Sequence, residues 1–364
     1  MASTIEVQKS PFVVNCWEGS LKTLIDQDER QPRQAEAAGH RHEDSNDIVG
    51  YYRQTIEDYE LWSPLGYMHF GLWRPWLNPL SRKSMLEAMN DLVFDRLRLD
   101  QETSMTIGDF GCGLGAVSRY GCRQFPQHRW RAVTICGEQV EYARTKSSSE
   151  ERERVEYFQH DYCDLPFEAE SLDAAFFLES LCHAQRASDP LSEAWRVLKP
   201  GGRLVVVDGL MRHSSEQTPR YVRRLAKAVA ENWAVGDFHS LEEFESAAID
   251  AGFVIESQRE FGWQIVPCVA HSPLLVAWHS ACLILTGRWN AWKRKHMIAC
   301  GLGVLLGAMR HQFGYYVHVL VKSLSQNIKT RSVSEGRPHE FPRSRVGLGF
   351  YAEGFRIGSK PKRD

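Results

Sequence analysis

The segment Asp109–Gly115 holds the residues best suited to binding a ligand. It reads Asp-Phe-Gly-Cys-Gly-Leu-Gly, so an acidic residue precedes Gly111, Gly113 and Gly115 at alternate positions. Glycines in such a turn let the backbone approach a ligand closely and enter a helix N-terminus. Dinucleotide-binding turns instead read GxGxxG and place a pyrophosphate at that helix N-terminus. The GxGxG spacing after Asp109 therefore favours a ligand with an ammonium group and no pyrophosphate.

Three further candidates follow later apolar segments of the chain. Asp161 comes after Glu156–His160, and its carboxylate can accept a hydrogen bond from an adenine amino group. Glu179 follows Leu172–Leu178 and is a candidate base, although a carboxylate here could also only order a loop or contact a cofactor. His183 could assist that base, bind phosphate or cap the next helix. The sequence alone leaves these roles open.

The candidate residues lie where short apolar strands alternate with helices. The predicted strands are 106–110, 130–135, 156–160, 172–178 and 203–208, followed by a sixth at 253–259. The predicted helices of this region are 116–125, 138–148 and 191–198, followed by 219–233 and 240–251. Such alternation produces right-handed βαβ units and a parallel sheet. The predicted fold class is therefore α/β and Rossmann-like, with ligands beyond the carboxyl ends of the strands.

The region from Met105 to Asp208 resembles class I S-adenosylmethionine-dependent methyltransferases. The resemblance rests on the glycine segment, on His160-Asp161 and on the Leu-Lys-Pro-Gly-Gly turn at 198–202. It implies S-adenosyl-L-methionine as the cofactor. By this resemblance Asp109 takes the ammonium of the methionine moiety, directly or through water, and Asp161 contacts the adenine.

The end of the second strand resembles the "TLSxxQ" pattern of cyclopropane fatty acid synthases and sterol-type C-methyltransferases. This chain reads Val-Thr-Ile-Cys-Gly-Glu-Gln at 133–139. The resemblance implies that Thr134 and Gln139 hold the ribose of the cofactor. Cys136 stands where the family has Ser, and Glu138 is the alternative ribose ligand in the more general class I manner.

The substrate side resembles sterol and prenyl diphosphate C-methyltransferases. Leu-Glu-Ser-Leu-Cys-His-Ala at 178–184 is similar to their "IEATCHA" and Asn-Glu-Ser segments, and the aromatic residues of 51–73 are similar to their N-terminal lid. The resemblance implies Tyr51, Tyr52 and Trp62 in the active site beside Glu179 and His183. Aromatic faces stabilise a desolvated cation by about 0.5–2 kcal/mol each and exclude water. The alternative is a lid that only packs on the core.

These features divide the chain into five predicted regions. They are an N-terminal extension at 1–50, an aromatic lid and helix at 51–100, a Rossmann-like cofactor-binding core at 101–262, an apolar helical substrate cap at 263–330, and a basic tail containing Gly and Pro at 331–364. The cap includes Phe313, Tyr315 and Tyr316 among its aromatic residues. A long hydrocarbon acceptor requires an apolar wall of this kind.

Composition excludes several classes of function. The formal net charge is −2, which does not provide the positive field of a nucleic-acid-binding protein. The nine cysteines form no CxxC pair and no zinc-like spacing, so we predict no metal site and a reduced, cytoplasmic protein. We expect no secretory signal, because the N-terminus lacks a basic region followed by an apolar run. We expect no integral membrane segment, because proline and histidine interrupt the apolar stretch 265–285 and the stretch 297–309 is too short to cross a bilayer; the alternative is a peripheral, lipid-facing surface. A homo-oligomer is compatible with the sequence.

The predicted function is C-methylation of an isoprenoid in terpenoid biosynthesis. By the resemblance, the acceptor is a prenyl diphosphate such as farnesyl diphosphate, and Glu179 deprotonates the resulting carbocation, before or after cyclisation. Mg²⁺ would arrive with the diphosphate. The basic candidates for diphosphate binding are Arg53, Arg74, Arg82, Lys83 and Arg186. The alternatives are a sterol- or lipid-type C-methyltransferase, an O- or N-methyltransferase of an amphiphilic natural product, and a noncatalytic cofactor-binding protein.

Overall fold

A single seven-stranded sheet organises the molecule, for which the computed structural model describes residues 48–53, 56, 63 and 65–323. The strand order is β3-β2-β1-β4-β5-β7-β6. Strands β1 to β5 pair in parallel, and β7 runs antiparallel to both β5 and β6. The strands are β1 Thr106–Phe110, β2 Arg129–Thr134, β3 Val155–Gln159, β4 Leu172–Leu178, β5 Leu198–Met211, β6 Phe253–Glu260 and β7 Phe313–Lys322.

The described residues 48–53 are helical, and ten further helices between residues 82 and 308 accompany the sheet. They are α1 Arg82–Leu97, α2 Ala116–Gln124, α3 Gly137–Lys146, α4 Ser149–Arg152, α5 Ser188–Val197, α6 Arg220–Trp233, α7 Leu241–Asp250, α8 Gly262–Val269, α9 Ser272–Leu285 and α10 Ala291–Ala308. A 3₁₀ turn at Leu181–His183 follows β4. The lid residue Trp62, most of the extension at 1–50 and the tail at 331–364 lie outside the described residues.

Strand β4 shows why the sheet is buried on both faces. Its neighbouring residues Phe176 and Phe177 are both fully buried, yet they belong to different apolar clusters because successive side chains point to opposite faces. Phe176 packs with Phe94 of α1, and Phe177 shares its cluster with Leu191 of α5. A near-continuous apolar run is typical of a parallel strand covered on both sides. The fold class predicted from the sequence is confirmed, and the carboxyl ends of the strands are left to form the site.

The prediction of a helical cap over 263–330 is wrong for Phe313–Lys322. This segment is β7, and it fills the position between β5 and β6, with Asp208 opposite Tyr316 and Gly209 opposite Tyr315. The sequence Phe-Gly-Tyr-Tyr-Val-His-Val-Leu-Val-Lys has the aromatic and β-branched residues favoured in strands. The pairing joins segments about a hundred residues apart, which local periodicity does not reveal. The structure thus places Tyr315 at the sheet end where β4 terminates.

The position of β7 inside the sheet can be tested by comparing a buried valine on β7 with an exposed valine on the edge strand β6. Val319 is 1% exposed and Val254 on the edge strand β6 is 55% exposed. We expect Val319→Ala to lower the free energy of unfolding by about 2 kcal/mol, because it removes buried methyl groups and leaves a cavity. Val254→Ala makes the same chemical change at the surface and should cost well under half as much. Urea denaturation followed by circular dichroism measures both, and equal losses would contradict the placement of β7.

Candidate active site

The glycine segment turns over the carboxyl end of β1. The amides of Gly111 and Cys112 both donate to the Val133 carbonyl, at 2.9 and 2.8 Å, and so tie the turn to β2. Gly113 has φ +50°, and a Cβ there would lie 2.6 Å from Met68 Sδ. At Gly111 a Cβ would instead lie 2.3 Å from Ser180 Cβ. Gly111 therefore allows close packing of the turn on the end of β4, whereas Gly113 keeps the adjoining cavity open.

The first cavity, here called the glycine-loop cavity, measures about 500 Å³. Six of the predicted cofactor-binding residues line it together with the candidate base: Asp109, Gly111, Gly113, Thr134, Gln139, Asp161 and Glu179. Gly115 does not line it, because this residue caps the start of α2 and packs against Tyr157. The first residues of α2, Ala116 and Val117, reach the cavity wall. The structure thus brings the predicted residues of four strand ends to one place.

Asp109 is a buried acid on the wall of this cavity. Its side chain is 3% exposed, and the Ser118 hydroxyl donates a 2.6 Å hydrogen bond to Oδ2. Burial raises the pKa of Asp109 to about 7, while the Ser118 bond acts in the opposite direction. A nearby cation would favour the charged carboxylate. Asp109 therefore suits a ligand that brings a positive charge into the cavity.

The end of β2 distinguishes between the two predicted ribose contacts. The Thr134 hydroxyl donates to Gln139 Oε1 at 2.6 Å, and both residues line the glycine-loop cavity. Glu138 is absent from that lining; it pairs with Arg53 at 2.5 Å and accepts a hydrogen bond from Cys136 Sγ. Among these described residues, Thr134 and Gln139 are the ones placed to contact a ribose. Asp161 also lies on the wall and accepts the Cys163 amide at 2.8 Å.

A second cavity, here called the aromatic cavity, adjoins the first. It measures about 210 Å³ and lies between the strand ends and helices α6, α8 and α10. Apolar and aromatic residues supply most of its wall: Tyr51, Tyr52, Tyr67, Met68, Phe70, Val229, Trp233, Val235, Phe238, Ile265, Val269, Val304, Leu306, Phe313 and Tyr315. Five residues line both cavities, namely Tyr52, Met68, His69, Glu179 and His183. These five residues form the shared wall.

Glu179 occupies the shared wall in an uncommon backbone conformation. Its φ is +52°, in the left-handed region that L-residues with a Cβ rarely adopt. Oε1 accepts hydrogen bonds from the Phe70 amide at 2.7 Å and from the Tyr315 hydroxyl at 2.6 Å. The pKa of Glu179 is raised to about 8, mainly by burial and also by the nearby carboxyl of Asp208, while the two hydrogen bonds lower it. Such an acid can become a base when a cation forms beside it.

Two tyrosine–histidine pairs connect residues 48–53 to the body of the molecule. The Tyr52 hydroxyl lies 2.7 Å from His183 Nε2, and His183 Nδ1 lies 3.0 Å from the Ala234 carbonyl. Since the carbonyl can only accept, Nδ1 carries the proton and Nε2 accepts from Tyr52. Burial lowers the pKa of His183, in keeping with this neutral state. Tyr51 forms the second pair with His296 of α10. Tyr52 and His183 thus line both cavities with Glu179, and Tyr51 lines the aromatic cavity.

The structure adds residues that sequence reasoning did not identify. His296 comes from the late part of the chain, where no motif marks it, and Tyr315, expected only as part of an apolar helical wall, instead lies on a strand and binds Glu179. Asp208 also lines the aromatic cavity, accepting the amides of Cys182 at 3.0 Å and Gly209 at 2.8 Å. Burial raises the pKa of Asp208 to about 6. Its position directly after an apolar strand segment was a usable signal, as it was for Asp109 and Glu179.

The five basic candidates for a diphosphate do not form one cluster. Arg82 lines the aromatic cavity, and among the described residues it is the only lysine or arginine that does so. Arg186 lines the glycine-loop cavity and pairs with Asp189, while Arg53 pairs with Glu138. Arg74 stacks over Trp76, and Lys83 pairs with Glu87. The described residues also contain no group of three or more His, Cys, Asp or Glu suited to holding a metal.

Comparisons with known proteins agree with this architecture. Residues 108–206 match the family model described as "Methyltransferase domain". A sterol 24-C-methyltransferase of Clavispora lusitaniae is 26% identical over 171 residues, which are 45% of this chain and 44% of the relative. A botryococcene C-methyltransferase of Botryococcus braunii is 26% identical over 258 residues, which are 66% of this chain and 65% of the relative. The chain therefore matches between about two fifths and two thirds of the length of these relatives.

Solved structures show the same fold. Geranyl diphosphate C-methyltransferase from Streptomyces coelicolor, in complex with Mg²⁺, geranyl diphosphate and S-adenosyl-L-homocysteine, aligns with a TM-score of 0.55 at 18% identity. The alignment covers 79% of this chain and all of that chain. The chain has the class I methyltransferase fold, residues 108–206 are similar to methyltransferase domains, and the resemblance to the sterol and prenyl diphosphate C-methyltransferase group is confirmed. These similarities support the prediction of an S-adenosylmethionine-dependent methyltransferase.

Gly113 provides a direct test of the cofactor placement. Gly113→Val forces a β-branched residue into φ +50° and against Met68, so we expect at least a tenfold loss of S-adenosylmethionine affinity with an unchanged fold. Gly301→Val is the control, because a Cβ on Gly301 meets no atom within 4 Å. Isothermal titration calorimetry gives the affinities and circular dichroism the fold. Unchanged affinity in Gly113→Val would refute the assignment of the glycine-loop cavity.

Proposed function

We propose that this protein is an S-adenosylmethionine-dependent C-methyltransferase that acts on an isoprenoid. The observation that carries the proposal is the shared wall, where Glu179 faces a polar, glycine-lined cavity on one side and an aromatic cavity on the other. Methyl transfer to carbon needs a donor and an alkene held in line, with little covalent help from the protein. Two cavities that meet at a buried carboxyl meet this requirement.

The glycine-loop cavity fits S-adenosylmethionine by the chemistry of its wall. Asp109 would hold the ammonium, Thr134 and Gln139 the ribose hydroxyls, and Asp161 the adenine amino group. When bound, the cofactor supplies an electrophilic methyl group. The buried Asp109 carboxyl, whose pKa stands at about 7, gains its counter-charge from that ammonium. The residues of the chain thus bind and orient the donor.

The aromatic cavity provides for the positive charge that develops on the acceptor. Rings of Tyr51, Tyr52, Phe70 and Tyr315 stand around Glu179, and each can stabilise a desolvated cation by about 0.5–2 kcal/mol. The same rings exclude water that would quench a carbocation. Glu179, held through Oε1 by the Phe70 amide and the Tyr315 hydroxyl, then accepts a proton from the carbon next to the cation. The alkene product forms when that C–H bond breaks.

A prenyl diphosphate such as farnesyl diphosphate is the first acceptor class for this site. The resemblance of 178–184 to prenyl diphosphate C-methyltransferases supports it, and Arg82 on the cavity wall supplies a positive charge. Mg²⁺ would then be carried by the diphosphate, since the described residues provide no metal-binding group of their own.

A neutral isoprenoid, such as a sterol side chain or a long polyene, is the second candidate. The supporting observation is that Arg82 is the only lysine or arginine on the described wall of the aromatic cavity, whereas the remaining wall is mainly apolar. A diphosphate brings several negative charges, so one guanidinium with a chelated metal must suffice for it. The two classes therefore differ in their need for Mg²⁺.

The acceptor class is tested by incubation with methyl-labelled S-adenosylmethionine. The panel contains geranyl and farnesyl diphosphate, a sterol, squalene and an unsaturated fatty acid, and mass spectrometry identifies labelled products. We expect label in an isoprenoid. Loss of activity in EDTA, restored by Mg²⁺, would assign the diphosphate class, and activity independent of EDTA would assign a neutral acceptor. Label on oxygen or nitrogen, or no turnover despite cofactor binding, would refute C-methylation of an isoprenoid.

Replacement of Glu179 tests its role as the base. Glu179→Gln keeps the shape and an oxygen acceptor for the Phe70 amide but cannot take a proton, so we expect turnover to fall by about 10²–10⁴-fold. Binding of S-adenosylmethionine should stay within about threefold of wild type by the same steric argument. Glu138→Gln is the matched control at an exposed position outside both cavities and should retain activity. Near-normal turnover of Glu179→Gln would reassign the base.

The pH dependence of the reaction follows from the raised pKa of Glu179. The carboxylate is needed to stabilise the cation and accept the proton, and it is lost as pH falls below about 8. We therefore expect kcat/KM to rise with pH, with a midpoint near pH 8, and to level off about one pH unit higher. Tyr315→Phe removes a hydrogen bond that favours the carboxylate, so the midpoint should move to higher pH. A midpoint unchanged or lowered in Tyr315→Phe would contradict the assignment.

A further inference from the structure

The outer side of the helices around the aromatic cavity carries large exposed apolar residues. Each of the following is at least 69% exposed: Trp76, Leu80, Trp263, Leu274, Trp278 and Leu285. These six residues are here called the cap surface. Soluble monomers rarely expose a contiguous apolar area of this size, and such areas mark interaction sites.

The segments that carry these six residues are joined in the fold. Leu274, Trp278 and Leu285 recur at i, i+4 and i+11 and so share one face of α9. The loop that carries Trp76 and Leu80 is fixed to these helices by two hydrogen bonds. One joins the Trp73 amide to the Gln264 carbonyl at 2.8 Å, and the other joins His271 Nε2 to the Pro79 carbonyl at 3.0 Å. The loop is therefore attached to α8 and to the start of α9, and all three carry exposed apolar residues.

The charged side chains of the cap helices α8 to α10 are all basic, and Glu260, which lies beside Trp263, is paired with Arg212 and Arg310. Residues 261–323 contain no Asp or Glu and six Lys or Arg, although the whole chain has a net charge of −2. Residues 61–83 also contain no acidic side chain. Arg288, Arg294 and Lys295 are exposed at and after the turn between α9 and α10. An apolar, tryptophan-bearing surface with basic neighbours complements the anionic headgroups and acyl chains of a lipid bilayer.

We propose that the cap surface docks the protein on an anionic lipid bilayer, with α8 and α9 lying in the interface. The stretch Gly262–Leu285 has 24 residues and a mean hydropathy of 1.6 in its most apolar window, which by length and composition would also suffice to cross a membrane. One side of this stretch is tied to the body of the protein, however. Cys268 Sγ accepts the Gly71 amide at 3.1 Å, and Ser272, His279 and Leu283 are buried. These attachments favour docking over spanning.

Docking would bring the aromatic cavity to the bilayer, a consequence that rests on the proposed function. The docking helices line that cavity through Ile265 and Val269 of α8 and Ser272 of α9, and the neighbouring α10 adds Val304 and Leu306. A hydrophobic isoprenoid dissolved in the bilayer could then enter between these helices without crossing water. The cap helices would thus contact lipid on one side and the acceptor on the other.

The test is sedimentation of the full chain with vesicles. Vesicles of phosphatidylcholine with about one third phosphatidylserine should bind the protein, and both pure phosphatidylcholine and 0.5 M salt should weaken binding by roughly tenfold or more. The double variant Leu274→Glu/Trp278→Glu should reduce binding by at least about tenfold, since it removes apolar area and adds negative charge. Ile249→Glu is the control, because Ile249 is 59% exposed on α7, outside the cap surface.

Three results would overturn the docking proposal. They are absence of vesicle binding, equal binding by the double variant, and protein that stays with the membrane through alkaline carbonate extraction, which would indicate a spanning helix. A wild-type dimer in analytical ultracentrifugation that the double variant abolishes, without vesicle binding, would assign the cap surface to a second copy of the chain. The docking proposal and the proposed function can fail independently, because vesicle binding is measured without any acceptor. The double variant should also bind S-adenosylmethionine with the affinity of wild type, which shows that the cofactor site is intact.

Discussion

Placement of the buried carboxyl of Glu179 is the constraint on which the site depends. Burial disfavours its charged form, while hydrogen bonds from the Phe70 amide and the Tyr315 hydroxyl favour it. The partners come from the segment before α1 and from β7, and the backbone at Glu179 takes a left-handed conformation to reach them. The end of β4, the segment before α1 and β7 must therefore all be folded before the Glu179 carboxyl can make these hydrogen bonds. The shared wall of the two cavities then follows from the same contacts.

The titratable groups around the shared wall are arranged for an incoming positive charge. Burial raises the pKa of Asp109 to about 7, of Glu179 to about 8 and of Asp208 to about 6. Burial also lowers the pKa of His69 to about 4 and lowers that of His183, so both imidazoles stay neutral. A cation that enters such a site lowers the cost of ionising the acids and meets no competing imidazolium. A sulfonium donor and a carbocation are ligands of this kind.

Helices α8 to α10 have two apolar sides, which explains their composition. A helix that only covers a core usually carries polar residues on its solvent-facing side. Trp263, Leu274 and Trp278 are instead exposed to solvent on α8 and α9. Their inward neighbours line the aromatic cavity. The proposed bilayer contact accounts for the outer side, and the proposed acceptor accounts for the inner one. The absence of acidic residues over 261–323 fits both assignments.

The sequence by itself determined the α/β fold class and pointed to several residues that line the glycine-loop cavity, namely Asp109, Gly111, Gly113, Asp161 and Glu179. This was possible because the information is local: strand–helix alternation, GxGxG after Asp109, and acids directly after apolar strands such as Asp161 and Glu179. The tertiary structure alone decided that β7 enters the sheet, that Tyr315 binds Glu179, and that Glu138 pairs with Arg53 away from the cavity. Each of these three features depends on contacts between segments that are far apart in the chain. The local sequence pattern shows whether a segment favours a strand or a helix, but it does not show which distant segment will pair with it.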